Sequence, residues 1–194
     1  MSRSEDPLNL VLIGGSSGSL TLFEDILKLL VRPVSFALIF VLHRGKTSTS
    51  VLPELFRNKT KIWMSEPDHL DPILTNSVYF ALPDYHLLIG PDKRFYYDYS
   101  EKDFFSRPSI DATFISAAMS GIPVKAAMLL SGASADGANG MKLLAEKEVP
   151  TYVLSPADAE SPRMPEAALA SCDRHSVIHQ SGFLRITHDI FYTH

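Results

Sequence analysis

A mostly parallel sheet with helices on both faces, a doubly wound α/β architecture, is the fold class this sequence predicts. Three observations carry that reading. Asn9–Ile13, Phe36–Leu42 and Val124–Leu130 are short apolar runs of the kind that form strands buried on both faces. Segments with helical spacing alternate with them, as βαβ units require. No internal repeat and no separating linker interrupts the 194 residues. The expectation is one domain over 1–194, long enough for a well-buried core.

The elements follow in order. Asn9–Ile13 is a strand stopped by Gly14-Gly15, and Leu20, Phe23, Ile26, Leu27 and Leu30 then mark a helix that Arg32-Pro33 ends. After the strand Phe36–Leu42, a Ser/Thr-rich start at 47–50 opens a helix reaching about Asn58, and Lys61–Met64 forms a short strand. Val78–Leu82, His86–Ile89 and Phe95–Tyr99 are short runs punctuated by Pro83-Asp84-Tyr85 and Gly90-Pro91-Asp92, which predicts a small antiparallel hairpin or meander. Ser109 caps a helix over Ile110–Ser120 with Gly121 as its stop. Beyond Val124–Leu130 come a helix over Ala138–Glu148 and a strand over Val149–Leu154. A proline-punctuated loop then leads to a short helix at Glu166–Ala170. From Ser176 the pattern gives a strand and then a helix.

Composition excludes several function classes. A net charge of −4 with 18 Lys+Arg spread along the chain supplies no basic stripe for nucleic acid. The single cysteine, Cys172, rules out an internal disulfide framework and a cysteine-rich zinc site, and reads as a small buried or half-buried residue. No apolar run approaches the roughly 20 residues of a membrane helix, and no signal sequence opens the chain, so a cytoplasmic location is expected.

In doubly wound folds ligands bind beyond the carboxyl ends of the strands. Three polar residues stand there. Gly14-Gly15-Ser16-Ser17-Gly18 matches G-x-S-x-G between a buried strand and an amphipathic helix, a turn that can project the Ser16 hydroxyl while the Ser17 amide faces an oxyanion. The bland reading is a glycine turn whose serine caps the helix. His43 ends the second strand, and an imidazole there can accept and return a serine proton. Asp136 follows the third strand and either orients an imidazole or caps its own helix at Gly137-Ala138. The chain order Ser, His, Asp differs from that of the α/β-hydrolases. A dinucleotide fingerprint is absent, and Phe40 stands where a phosphate-binding loop ending Gly45-Lys46-Thr47 needs glycine. His175 and His179 lack a third ligand for a metal, so none is expected. The aromatic run Phe95–Tyr99 reads as strand packing.

The ordered motifs resemble one family. Ile13–Gly18, Leu42-His43, Ala81–His86, Pro108–Asp111, Leu130–Gly132, Asp136–Met141 and Met164-Pro165 are similar to the catalytic domain of the bacterial chemotaxis protein-glutamate methylesterase. The resemblance covers about Leu8 to the helix after Met164-Pro165, and Asp-Gly-Ala-x-Gly-Met carries most weight. It implies a three-layer α/β/α sandwich and hydrolysis of glutamyl methyl esters on the cytoplasmic helices of chemoreceptors, possible glutamine deamidation included. No cofactor is implied. Ser16 would be the nucleophile, His43 the base and acid, and Asp136 the orienting carboxylate. Ser17 and Ala133 would serve the oxyanion, and Met164 the substrate site.

Four departures surround the mouth: Gly18-Ser19 in place of a double glycine, Arg44-Gly45 after His43, Ala133-Ser134, and Arg163 before Met164. They leave open a binding module without turnover, or a hydrolase of another small ester. Typical members also carry an N-terminal phosphoacceptor receiver domain. Here the first strand begins within about ten residues of Met1, so the expectation is a constitutively open enzyme or a regulatory partner in trans.

Overall fold

The computed structural model describes residues 7–43, 52–100 and 106–193. The element order is β1 (Leu10–Gly15), α1 (Leu20–Leu29), β2 (Ala37–Leu42), α2 (Leu52–Phe56), β3 (Trp63–Ser65), β4 (Ser77–Phe80), β5 (His86–Ile89), β6 (Phe95–Asp98), α3 (Ile110–Met119), β7 (Val124–Leu129), α4 (Ala138–Glu146), β8 (Thr151–Leu154), α5 (Arg163–Ser171), β9 (Ser176–Ile178) and α6 (Phe183–Tyr192). Seven strands form a sheet in the order β3-β4-β2-β1-β7-β8-β9, and every pairing in it is parallel.

Strands β1 and β2 are apolar at every position because both faces are covered. Leu10 and Leu12 of β1, with Ala37, Ile39 and Val41 of β2, join one core with Phe114 and Met141. Val11 and Ile13, with Leu38 and Phe40, join the other with Phe23, Ile26 and Phe191. This division by alternate residues is the period-two consequence of a pleated strand. Helices α3, α4 and α5 thus lie on one face and α1 and α6 on the other, the three-layer sandwich expected.

Several boundaries and pairings differ from the sequence reading. The run at Val78–Leu82 does not enter a meander: β4 pairs in parallel with β2, Ser77 opposite Ala37 and Phe80 opposite Phe40. All four of its residues are buried, as an interior strand requires. The antiparallel hairpin is β5 and β6 alone, with His86 opposite Asp98. Helix α5 begins at Arg163, before Pro165, because a proline in the first helical turn lacks only an N–H that would be orphaned anyway. Strand β1 runs through Gly14 and Gly15 instead of stopping before them. A Cβ on Gly14 would lie 2.6 Å from the Ile110 side chain, so the missing side chain lets the start of α3 settle on β1. The Ser/Thr start at 47–50 and Arg44-Gly45 lie outside the described residues. Among the described residues, no helix is long and apolar enough to cross a membrane.

The topology fixes where a site can form. From central β1 the chain passes to β2, goes out to the edge at β3 and comes back to β4 between them, then crosses to β7 on the opposite side of β1 and winds outward through β8 and β9. The connections diverge at the carboxyl ends of β1 and β7, the switch point where α/β sheets leave a crevice.

Candidate active site

The loops after β1, β2 and β7 meet at that switch point. The strand register continues past β1, since the His43 amide donates to the Gly15 carbonyl at 3.1 Å. Ser16 and His43 are therefore neighbours across adjacent strands, whose backbones lie about 4.8 Å apart. On the other side of β1 the Ser16 amide donates to the Ser131 carbonyl at 2.8 Å, tying this turn to the loop after β7. The Ser19 amide closes the turn onto the Ser16 carbonyl at 3.0 Å.

Asp136 lies in the loop after β7 and is fully buried. Its Oδ2 is 2.7 Å from His43 Nε2. That bond joins the loop after β2 to the loop after β7, and so spans the end of β1 between them. The same oxygen accepts the Ile110 amide at 2.7 Å, while Oδ1 accepts the Asp111 amide at 2.9 Å and the Ser109 hydroxyl at 3.1 Å. Asp136 thus caps a helix, but not its own. The cap position of α4 is Gly137, with φ of 94° and no side-chain cap, whereas the carboxylate sits on the first turn of α3. A helix N-terminus favours negative charge. Burial would raise the Asp136 carboxyl, but the His43 bond and the amides of Asp111 and Ile110 outweigh it and hold the group below its ordinary value.

Ser109 caps α3 as the sequence predicts, accepting the Ala112 amide at 3.1 Å while donating to Asp136. Behind it, the buried His86 accepts the Ser109 amide on Nδ1 at 3.1 Å. Sequence reasoning had no role for His86 or Asp111 beyond their place in quoted motifs. Asp111 comes to Asp136 because α4 packs against α3, and His86 comes to Ser109 because β5 packs along α3, tertiary contacts with no local signal.

The remaining candidates take defined places. Ser17 and Ala133 are exposed, and their amides have no hydrogen-bond partner among the described residues. Met164 is fully buried. Its thioether packs on Gly132, and its amide donates to the Gly132 carbonyl at 2.9 Å, so the side chain supports the floor of the crevice from below. Ser19, where the resembled family has glycine, is fully buried and donates to the Ser131 carbonyl at 2.8 Å. The two histidines with helical-metal spacing flank β9 and take separate partners: His175 Nδ1 meets Thr151 Oγ1 at 2.8 Å, and His179 Nδ1 meets Asp158 Oδ2 at 3.1 Å. Cys172 is half-buried.

Comparison with known proteins adds a family. The family model described as CheB methylesterase matches residues 11–182. A Leptospira interrogans protein, provisionally designated a protein-glutamate methylesterase/protein-glutamine glutaminase, is 33% identical over 159 residues, 82% of each chain. Protein-glutamate methylesterase/protein-glutamine glutaminase 1 of Cupriavidus metallidurans is 30% identical over 175 residues, 87% of this chain and 48% of its own length. The chain thus spans about half of that relative. The crystal structure of the Thermotoga maritima CheB methylesterase catalytic domain superposes with a TM-score of 0.81 at 20% identity, covering 93% of this chain and 96% of that one. That match shows the fold.

Proposed function

This chain belongs to the CheB methylesterase family, and from that premise we propose that it is a serine hydrolase acting on methylated glutamate side chains of chemoreceptor helices. The observation that carries this reading is the 2.7 Å hydrogen bond between His43 and Asp136 across the end of the strand that delivers Ser16. A buried carboxylate bound to one imidazole nitrogen fixes the ring and stabilises its charged form.

Nε2 is committed to Asp136, so Nδ1 is the nitrogen that serves Ser16. The Ser16 hydroxyl oxygen attacks the γ-carbonyl carbon and its proton passes to Nδ1. The oxyanion that forms faces the amides of Ser17 and Ala133, which have no competing acceptor among the described residues. Collapse of the intermediate breaks the carbon–methoxy bond, and methoxide leaves as methanol with the proton from His43. Water, deprotonated by the same ring, then releases glutamate from the acyl-enzyme. A glutamine amide would follow the same course with ammonia leaving.

Replacement of Ser16 by alanine removes the nucleophile without altering a strand. Hydrolysis of methylated receptor peptide should vanish in Ser16→Ala while thermal unfolding stays as in the wild type. Labelling by a fluorophosphonate should map to Ser16 alone. Undiminished turnover in the variant refutes the assignment, and labelling without turnover of receptor peptide favours a different small ester as substrate.

A further inference from the structure

Asp111 is a buried carboxylate that the proposed chemistry does not use. It is 5% exposed and stands in the first turn of α3, one residue beyond the amide that grips Asp136 Oδ2. Its own amide donates to Asp136 Oδ1, so the backbone of Asp111 already belongs to the cradle of that group. Its side chain points the other way. Oδ1 accepts the Gly140 amide at 2.7 Å and Oδ2 accepts Asn139 Nδ2 at 3.0 Å, both in the first turn of α4. Burial, with the neighbouring Asp136 charge, pushes the Asp111 carboxyl up to about 6 against the bonds from α4. Two carboxylates this close repel one another, an arrangement that costs free energy unless geometry requires it.

The requirement is visible in the chain path. Asp136 immediately precedes α4, linked to it only through Gly137, a residue with no side chain to brace it. The position of the α4 first turn therefore sets where the Asp136 carboxylate arrives. Asp111 is the side chain that fastens this turn to α3, the same helix whose amides receive Asp136. We propose that Asp111 is a positioning residue for the reaction at Ser16: it clamps the start of α4 to the start of α3, so that Asp136 meets the His43 ring and the α3 amides at once. This inference rests on the reading of Ser16, His43 and Asp136 given above.

The clamp depends on an acceptor oxygen, not on charge, and that separates two variants. Asp111→Asn keeps an oxygen for the Gly140 amide, and the exposed Asn139 can turn aside. Asp111→Ala keeps nothing. Displacement of a reacting group by about 1 Å can cost about 100-fold in rate. Asp111→Ala should accordingly lower kcat by about ten- to hundredfold with little change in KM, and Asp111→Asn should recover most of it.

The NMR resonance of the His43 Nε2 proton, read on the free enzyme, should move in Asp111→Ala and stay in Asp111→Asn. An unmoved resonance in Asp111→Ala, wild-type kcat per fluorophosphonate-labelled site, or an Asp111→Asn as impaired as the alanine variant would each overturn the clamp. If Asp111→Ala does not fold, Asn139→Ala decides. It removes one arm at an exposed position and should lower kcat two- to threefold, and an unchanged kcat overturns the proposal. The resonance needs no turnover, so failure of the clamp is distinguishable from failure of the Ser16 assignment.

Discussion

Asp136→Asn changes one atom and should be among the more damaging substitutions in this molecule. The carboxylate accepts four hydrogen bonds in full burial, two on each oxygen. Asparagine offers one acceptor oxygen, and its NH2 group must face either the Ile110 amide or the Asp111 amide. Both are backbone donors that cannot turn away. One charge-assisted bond is lost, worth about 2 kcal/mol, and one buried donor is left unsatisfied at about 2 kcal/mol. Relief of the repulsion on Asp111 returns a fraction, leaving a net loss of about 3–4 kcal/mol.

The pH dependence has a definite sign. The Asp136 carboxyl titrates below its ordinary value when folded. Its contribution is therefore complete above the unfolded value, about 3.9, and is lost as the pH falls through the lower folded value. Urea unfolding of the two proteins should show the full gap at neutral pH and a narrowing gap below about pH 4. A gap under about 1 kcal/mol at neutral pH would refute the hydrogen-bond argument, as would a gap that does not change with pH.

Two further outcomes test other parts of the structure. A Cβ on Gly132 would lie 3.1 Å from Ser16 Cβ and 2.4 Å from the end of the buried Met164 side chain, so Gly132→Ala should depress kcat/KM at least tenfold while labelling at Ser16 slows in parallel; normal kinetics would show that the floor yields freely. His175 is buried with no partner for Nε2 among the described residues, and burial pushes its pKa down. The unfolded chain then binds a proton that the folded chain refuses, so stability is lost as the pH falls below about 6.5. Asp111, with its raised value, works in the opposite sense over the neighbouring range. The His175→Asn variant isolates the histidine: between pH 7 and about pH 5 it should lose less stability than the wild type, and identical slopes would refute the burial argument.

The parallel core of the sheet was readable because strands buried on both faces leave unbroken apolar runs, and His43 and Asp136 were readable as the first ionisable groups after two of them. The errors have local causes. Pro83-Asp84-Tyr85 looks like a hairpin turn, but it is where the chain leaves β4 to reach a separate hairpin packed on α3; four residues are too few to reveal which sheet they join. Pro165 looks like a boundary and lies inside the first turn of α5. Asp136 fits an N-cap pattern for α4, and only tertiary packing turns its carboxylate onto α3. Asp111 carried no chemical signal at all. The role proposed for it rests on one backbone amide and one side chain almost thirty residues ahead of it, which sequence spacing does not bring together.

The imidazole and the carboxylate that meet across β1 are 93 positions apart along the chain. During synthesis Ser16 and His43 emerge before Asp136, so the ring meets its acidic partner only after the hairpin, α3 and β7 have been made. A nascent chain interrupted before that point lacks the carboxylate that holds the imidazole. On the proposed mechanism, hydrolytic competence arrives late and all at once, and an active product certifies that both halves of the sheet have closed around their central strand.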